Sequence, residues 1–229
     1  MDKLTFSVWY KGYKDLRVLY ELLEKYSFFK PKEIYIDEDT DTSLKIRKLN
    51  ESKIKELFYE ACKNGNGSCI TIGGHCFSLL LAPTINIGDF YIASLDISPE
   101  ILKNDYTEIE KIFKEFVCAT QAFYGMVDSI YNSGDLFDDE NEDAYKPDEY
   151  IQTLFWGNYF GKAYASNLYV LKIIKSGNCI AERVEDGLFV KLSEDVSGIS
   201  SEEVKKKRKK LRKYIKSITG CHLIRYKDE

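Results

Sequence analysis

Apolar residues recur along the chain with two different periods, and the order of these periods predicts a mixed α+β protein. They occupy every second position from 4 to 10, which predicts a strand over 3–10. Helical spacing of apolar residues then predicts helices over about 13–26 and 52–63. Further strands are predicted over 33–37, 68–72, 76–82 and 89–97, the last three as a meander, and a long helix is predicted from about residue 105.

The last third of the chain repeats this order of elements. The predicted elements are a strand over 151–160, a helix over 162–174, strands over 179–184 and 188–192, and a helix from 200 to about 219. Asp186-Gly187 between the two strands is a strong signal for a two-residue hairpin turn. Because strand, helix, strands and helix occur in this order twice, we predict an α+β fold of two split βαβ-type halves. Their helices are expected on one face of an antiparallel or mixed sheet.

The composition changes sharply between the two halves. Residues 132–150, here called the acidic segment, contain eight carboxylates and one lysine. Like charges repel one another and the segment has little apolar surface to bury, so we predict an exposed loop. A solvated linker and a functional surface explain it equally well. The predicted organisation is an N-terminal α+β half over 1–131, the acidic segment, and a C-terminal α+β half over 151–229, packed as one compact unit.

The last predicted helix, over about 201–219, has the opposite charge. Nine lysine and arginine residues lie between positions 205 and 216, a run that invites a nucleic-acid interpretation. Val204, Leu211 and Ile215 keep one side of the helix apolar, so we expect the helix to dock and turn its lysines to water. Nucleic acid is therefore the less favoured partner, since contact with the acidic segment, or no contact at all, explains the charge as well.

The candidate chemistry is sparse. The pairs His75-Cys76 and Cys221-His222 contain zinc-binding side chains, but adjacent residues on a strand point to opposite faces and rarely share a metal ion. The chain has two histidines, and it contains no Gly-x-Ser-x-Gly nucleophile motif. We expect no metal, no cofactor and no enzymatic activity. An enzyme with an unidentified carboxylate-based site between the halves stays open as an alternative.

The expected location is the cytoplasm. The start of the chain, Met1-Asp2-Lys3-Leu4, has no signal-peptide pattern. No apolar run approaches the roughly 18 residues that a membrane span requires, so no membrane partner is expected. The six cysteines are then expected to be reduced thiols rather than a disulfide framework.

Residues 155–161 read Phe-Trp-Gly-Asn-Tyr-Phe-Gly and predict a buried strand, because aromatic rings pack well on a pleated surface. From residue 150 onward the chain resembles bacterial immunity proteins of polymorphic-toxin and type VI secretion systems (T6SS), particularly the immunity protein 52 group. The aromatic strand, the helix after it, the hairpin over 185–188 and the strand exit over 192–195 carry the resemblance. Its marked positions are Trp156, Asn158, Phe160, Gly161, Asp186 and Gly187.

The resemblance implies a cytoplasmic, non-enzymatic α+β protein that binds and neutralises a cognate protein toxin, for this group a nuclease. It implies a structural role for the marked positions and supplies no toxin-contact residues. Because nucleases are basic around the nucleic-acid groove, the acidic segment is our hypothesis for the contact surface. The candidate toxin-binding residues are Asp135, Asp138, Asp139, Glu140, Glu142, Asp143 and Tyr145.

Overall fold

Ten strands and six α-helices make up the regular structure of the computed structural model, which describes residues 3–12, 14–37, 47–63, 69–83, 90–98, 106–129, 154–194 and 196–219. The strands are β1 (Leu4–Lys11), β2 (Pro31–Asp37), β3 (Arg47–Lys48), β4 (Cys69–Gly74), β5 (Phe77–Pro83), β6 (Phe90–Ile97), β7 (Tyr124–Ser129), β8 (Gly157–Phe160), β9 (Ile180–Val184) and β10 (Gly187–Lys191). The helices are α1 (Arg17–Glu24), α2 (Glu51–Lys63), α3 (Tyr106–Thr120), α4 (Lys162–Asn167), α5 (Val170–Lys175) and α6 (Glu202–Thr219). None of these described helices is long and apolar enough to cross a bilayer.

The strands form one sheet in the order β3-β2-β4-β5-β6-β1-β7-β8-β10-β9, and every neighbouring pair is antiparallel. The predicted α+β class is therefore confirmed, and β4, β5 and β6 form the predicted meander. Since β7 pairs with β8, strands from before and after the acidic segment share this sheet. The predicted boundaries at 131/132 and 150/151 lie outside the described residues, so the division into two halves stays a prediction.

The face of the sheet that carries α1, α2 and α3 holds the larger part of the apolar core. On β1 the side chains of Leu4, Phe6 and Val8 point to this face and are fully buried. Phe6 packs edge-on against Phe113 of α3, with ring centroids 5.9 Å apart. Helix α2 packs on β2 and β4, and α1 contacts both α2 and α3. The apolar side chains that alternate with Thr5 and Ser7 along β1 therefore define the face of the sheet that α1, α2 and α3 cover.

The helices of the C-terminal part pack on the opposite face. Tyr164 of α4 meets the rings of Tyr124 on β7 and Phe160 on β8, with centroids 6.1 and 6.3 Å apart. Tyr124 pairs with Trp9 of β1. Successive side chains of a strand point to opposite faces, so Trp9 lies on the face opposite Leu4, Phe6 and Val8. The prediction of helices on a single face is therefore wrong. A hydrophobic pattern shows that a helix has an apolar side but not which face of the sheet this side covers.

Two local predictions also need correction. The predicted helix over 162–174 is divided into α4 and α5, because Tyr169 adopts a left-handed backbone conformation with φ 48° and ψ 56°. The hairpin between β9 and β10 is present, but its turn residues are Glu185 and Asp186. Gly187 already pairs with Val184 as the first residue of β10, and Glu185 takes the positive φ of 49°.

Candidate functional site

The sheet face opposite α1, α2 and α3 is polar across its N-terminal strands. Cross-strand neighbours form rows on this face. One row, from β7 to β2, consists of Asp128, Thr5, Asp96, Ser78, Gly73 and Glu33. The adjacent row consists of Met126, Ser7, Ser94, Leu80, Thr71 and Tyr35. We call the members of these rows on β2, β4, β5 and β6 the polar sheet face.

Apart from the buried Gly73, the residues of the polar sheet face are half-buried, whereas the residues that alternate with them belong to the core. Ile34, Ile72, Leu79 and Leu95, for example, are each at most 2% exposed. The sheet therefore presents one apolar side to its helices and one small, hydroxyl-rich side outwards. Such a surface offers hydrogen-bond donors and acceptors to a partner.

Hydrogen bonds between side chains order the polar sheet face where it meets β1. The hydroxyl of Thr5 donates to a carboxylate oxygen of Asp96 at 2.8 Å, and the hydroxyls of Ser7 and Ser94 are 2.6 Å apart. On β4 the absence of a side chain at Gly73 leaves room for Glu33, since a Cβ there would lie 2.6 Å from the carboxylate Oε1. Asp96 and Glu33 thus place two carboxylates on this face, which favours a partner with cationic groups.

The acidic segment is attached at the same end of the sheet as the row that contains these carboxylates. Strand β7 ends at Ser129, and the described chain resumes at Leu154, just ahead of the adjacent strand β8. The predicted toxin-binding residues all lie outside the described residues, so their role stays a prediction. They are Asp135, Asp138, Asp139, Glu140, Glu142, Asp143 and Tyr145.

Asp128 ties the two attachment points of the acidic segment to the last helix. Its buried carboxylate accepts a hydrogen bond from the Trp156 backbone N–H at 2.8 Å and one from Arg208 of α6 at 2.9 Å. The backbone N–H of Ser129 donates to the other carboxylate oxygen at 2.8 Å. Three separate parts of the chain therefore meet at one buried carboxylate.

Sequence reasoning missed Asp128 and Arg208, although a signal was present. Arg208 lies on the same side of the helix as Val204, Leu211 and Ile215, and all four are buried. A charged residue on an apolar helix side is rarely buried without a partner. Asp128 likewise lies in a strand whose six positions are all buried. Asp128 and Arg208 could therefore have been identified from the sequence as charged residues at buried positions. Only the three-dimensional structure shows that they pair with each other.

The other marked positions of the aromatic strand are buried and hydrogen-bonded. The side chain of Asn158 accepts from the Phe155 N–H at 3.0 Å and donates to the Phe155 carbonyl at 2.9 Å, which closes the turn into β8. The indole N–H of Trp156 donates to the Ser193 hydroxyl at 2.7 Å, and Phe160 is fully buried against Tyr124. These contacts fit a structural role, which stays a prediction until the residues are replaced.

The two glycines among the marked positions lie where chains approach closely. A Cβ at Gly161 would lie 2.8 Å from the backbone of Phe123, and one at Gly187 would lie 2.5 Å from the Tyr159 hydroxyl. The remaining position, Asp186, is exposed in the β9–β10 turn and lies 3.3 Å from Lys162. Asp186 is therefore the marked position that a partner can reach most directly.

A charged cluster links α3 to β10 on the core side of the sheet. Glu110 accepts from Lys114 at 2.6 Å and from Lys191 at 2.7 Å, and Lys114 also pairs with Glu182 of β9. Burial alone disfavours the charged form of Glu110, but the hydrogen bonds from both lysines outweigh it and hold its pKa below the ordinary value. The cluster thus fixes the C-terminal strands to α3 through ionised groups.

The described thiols and histidine do not converge on a metal-binding arrangement. In the described ranges no group of three or more His, Cys, Asp or Glu side chains could hold a metal ion, and Cys221-His222 lies outside those ranges. None of the five described cysteines forms a disulfide bond. Burial raises the pKa of Cys62 to about 12 and that of Cys179 to about 11. These two thiols therefore stay protonated and are weak nucleophiles.

Comparison with known proteins shows a fold but not a family. No family model matches the sequence, and no curated protein matches it. Among solved structures, the chain is similar to the T6SS protein PA0821 of Pseudomonas aeruginosa, with a TM-score of 0.60 and 12% sequence identity. The match covers 95% of this chain and 74% of that protein. The two proteins share a fold, and membership of the immunity protein 52 group stays a hypothesis.

Proposed function

We propose that this chain is an immunity protein of a type VI secretion system that binds and neutralises a cognate toxin domain. The observation that carries the proposal is the fold it shares with a T6SS protein over 95% of its length. The resemblance of the last third to T6SS immunity proteins supports the same systems from the residues alone. The protein acts in the cytoplasm as a non-enzymatic inhibitor, and the toxin class implied by the resemblance is a nuclease.

The proposed contact surface combines the polar sheet face with the acidic segment. The polar sheet face supplies the hydroxyls of Thr71, Ser78 and Ser94 together with the carboxylates of Asp96 and Glu33. The acidic segment, with its eight carboxylates, is attached at the same end of the sheet. A basic groove that holds a nucleic-acid backbone is attracted to such a surface, which speeds association and occupies the groove.

Co-expression tests the proposal. The adjoining genes are searched for a toxin-like domain, which is expressed in bacteria with and without this protein, and growth is measured together with complex formation by size-exclusion chromatography. We expect protection and a stable complex, and no protection against a toxin domain of a different system. Growth arrest in both cultures, with the two proteins eluting separately, would contradict the proposal.

A matched pair of variants locates the surface. Ser78→Arg places a cation on the polar sheet face, whereas Ser52→Arg places one on the exposed side of α2. We expect the first to weaken toxin binding by repelling the basic groove and the second to bind like the wild type. Equal binding by both variants would exclude the polar sheet face while leaving the neutralising function intact.

A further inference from the structure

Helix α6 presents a line of lysines on the side that faces away from the sheet. Its buried residues Val204, Arg208, Leu211 and Ile215 lie on one side of the helix. Lys206, Lys209, Lys210 and Lys213 have the spacing i, i+3, i+4 and i+7 and are all exposed. At 100° per residue these four lie on the side directly opposite the buried residues. We call them the lysine stripe.

The lysine stripe differs from Lys205, Lys207 and Arg208 in forming no ion pair within the described residues, although the charge of Lys206 contributes to the lowered pKa of Glu202. Lys205 pairs with Glu202 at 2.8 Å, Lys207 pairs with Glu203 at 2.9 Å, and Arg208 pairs with Asp128. Within the described part of the chain, the four lysines of the stripe make no ion pair. Like charges at i+3 and i+4 spacing destabilise a helix. The helix therefore holds an unfavourable array of charge that an anionic ligand would relieve.

We propose that the lysine stripe binds the phosphate backbone of a nucleic-acid duplex. The Cα atoms of Lys206 and Lys213 are separated by about 10 Å along the helix axis. One strand of a DNA duplex carries a phosphate every 3.4 Å of its axis, so the stripe spans about three or four phosphates. The guanidinium of Arg208 donates to the carboxylate of Asp128 at 2.9 Å and anchors α6 to the sheet. The four lysines therefore extend from a helix whose position is fixed.

The side chains around the stripe favour nucleic acid over an acidic protein. The exposed residues on this side of α6 are charged or hydroxylic, and Tyr214 and Ile218 beside them are half-buried. Protein interfaces are centred on apolar and aromatic residues and are depleted in lysine. The stripe also lacks the exposed aromatic rings on which single-stranded bases stack. Contacts of this kind read phosphates and not bases, so the binding is independent of sequence.

The protein has a net charge of −4, so the charges outside the lysine stripe repel a polyanion. Binding then depends on the local field of four lysines and should be sensitive to salt. For four phosphate contacts the slope of log K against log salt concentration is about −3.6. Between 50 and 200 mM salt the affinity should fall by about a hundredfold. A slope of this size distinguishes phosphate contacts from non-specific adsorption that does not depend on salt.

The test measures binding of a fluorescein-labelled 20-base-pair DNA duplex by fluorescence anisotropy at several salt concentrations. The full chain is compared with a variant in which Lys206, Lys209, Lys210 and Lys213 are replaced by glutamine. The control variant carries the same change at four exposed lysines elsewhere, Lys3, Lys30, Lys32 and Lys63. We expect the stripe variant to lose at least tenfold in affinity and most of the salt slope, while the control retains both.

Two half-stripe variants, K206Q/K210Q and K209Q/K213Q, replace the fourfold variant if its circular dichroism shows impaired folding. Each should halve the salt slope. The proposal is overturned if the wild type does not bind the duplex at 25 mM salt, or if the control variant loses as much affinity as the stripe variant. It is also overturned if polyglutamate displaces the duplex at equal charge concentration, because the stripe would then fit an acidic protein.

Discussion

The carboxylate of Asp128 on β7 lies 2.9 Å from the guanidinium of Arg208 on α6, and the two side chains are 0% and 8% exposed. This ion pair joins the middle of the sheet to the last helix, two elements that are 80 residues apart in the sequence. The same carboxylate also accepts from the backbone of Trp156. The Asp128 side chain therefore fixes both α6 and the residues that precede β8 against β7.

Removing one partner of this pair should be costly. Arg208→Met removes the guanidinium that pairs with the buried Asp128 carboxylate, so we expect a loss of about 3–5 kcal/mol in the free energy of unfolding. Guanidinium denaturation followed by fluorescence measures it. Lys205→Met, which breaks the exposed pair with Glu202, should leave the free energy of unfolding nearly unchanged, because exposed ion pairs contribute little. Adding Asp128→Asn to Arg208→Met should recover part of the loss, and an Arg208 variant as stable as the Lys205 control would contradict the prediction.

Trp156 tests whether the aromatic strand is structural. Its ring is 2% exposed and its indole N–H is hydrogen-bonded to Ser193. Trp156→Ala should therefore lower the free energy of unfolding by about 3–5 kcal/mol. Leu171→Ala is the control, since Leu171 is 63% exposed. An unchanged melting temperature for the Trp156 variant would show that the ring contributes little to the core and would make it a candidate contact residue.

Local patterns predicted most helices and strands, but the assembly of the sheet depended on information that the sequence does not show. Strand β7 was missed because all six of its positions are buried, so it shows no alternation. The position of β1 between β6 and β7 depends on pairings between distant residues. The polarity of one face was visible at Thr5 and Ser7. Its continuation to Ser94, Asp96 and Ser78 needed the register of the strands.

The charged cluster around Glu110 predicts a dependence of stability on pH. Hydrogen bonds from Lys114 and Lys191 hold the pKa of Glu110 below its ordinary value of 4.5. The cluster therefore stabilises the fold fully above pH 4.5 and loses this contribution as the pH falls towards the lowered pKa. Glu110→Gln should cost about 1–3 kcal/mol at pH 7. The difference from the wild type should shrink below pH 4.5.

Urea denaturation at a series of pH values measures this difference. Glu56→Gln on α2 is a suitable control, because it removes an exposed pair with Lys53. It should change the stability by less than about 1 kcal/mol at pH 7. A penalty for Glu110→Gln that is the same at pH 7 and pH 3 would show that ionisation of this carboxylate does not stabilise the fold.

The last prediction concerns the acidic segment, which lies in the sequence between β7 and β8. Replacing Asp138, Asp139, Glu140, Glu142 and Asp143 by Asn or Gln removes five of its eight carboxylates. Exposed charges contribute little to stability, so the melting temperature should barely change. Association with the toxin domain should become slower, and the salt dependence of the association rate should flatten, because steering by long-range charge is lost.

Stopped-flow association at two salt concentrations, together with protection of cells that express the toxin, measures both effects. Polar replacements at the lysine stripe of α6 are the matched control, because they change the charge of exposed residues outside the acidic segment. Those replacements should leave the association rate with the toxin nearly unchanged or raise it, since they remove positive charge. If the neutralised segment associates at the parental rate and protects fully, the segment is a linker. The polar sheet face alone would then have to account for recognition, a result that the Ser78→Arg variant can check independently.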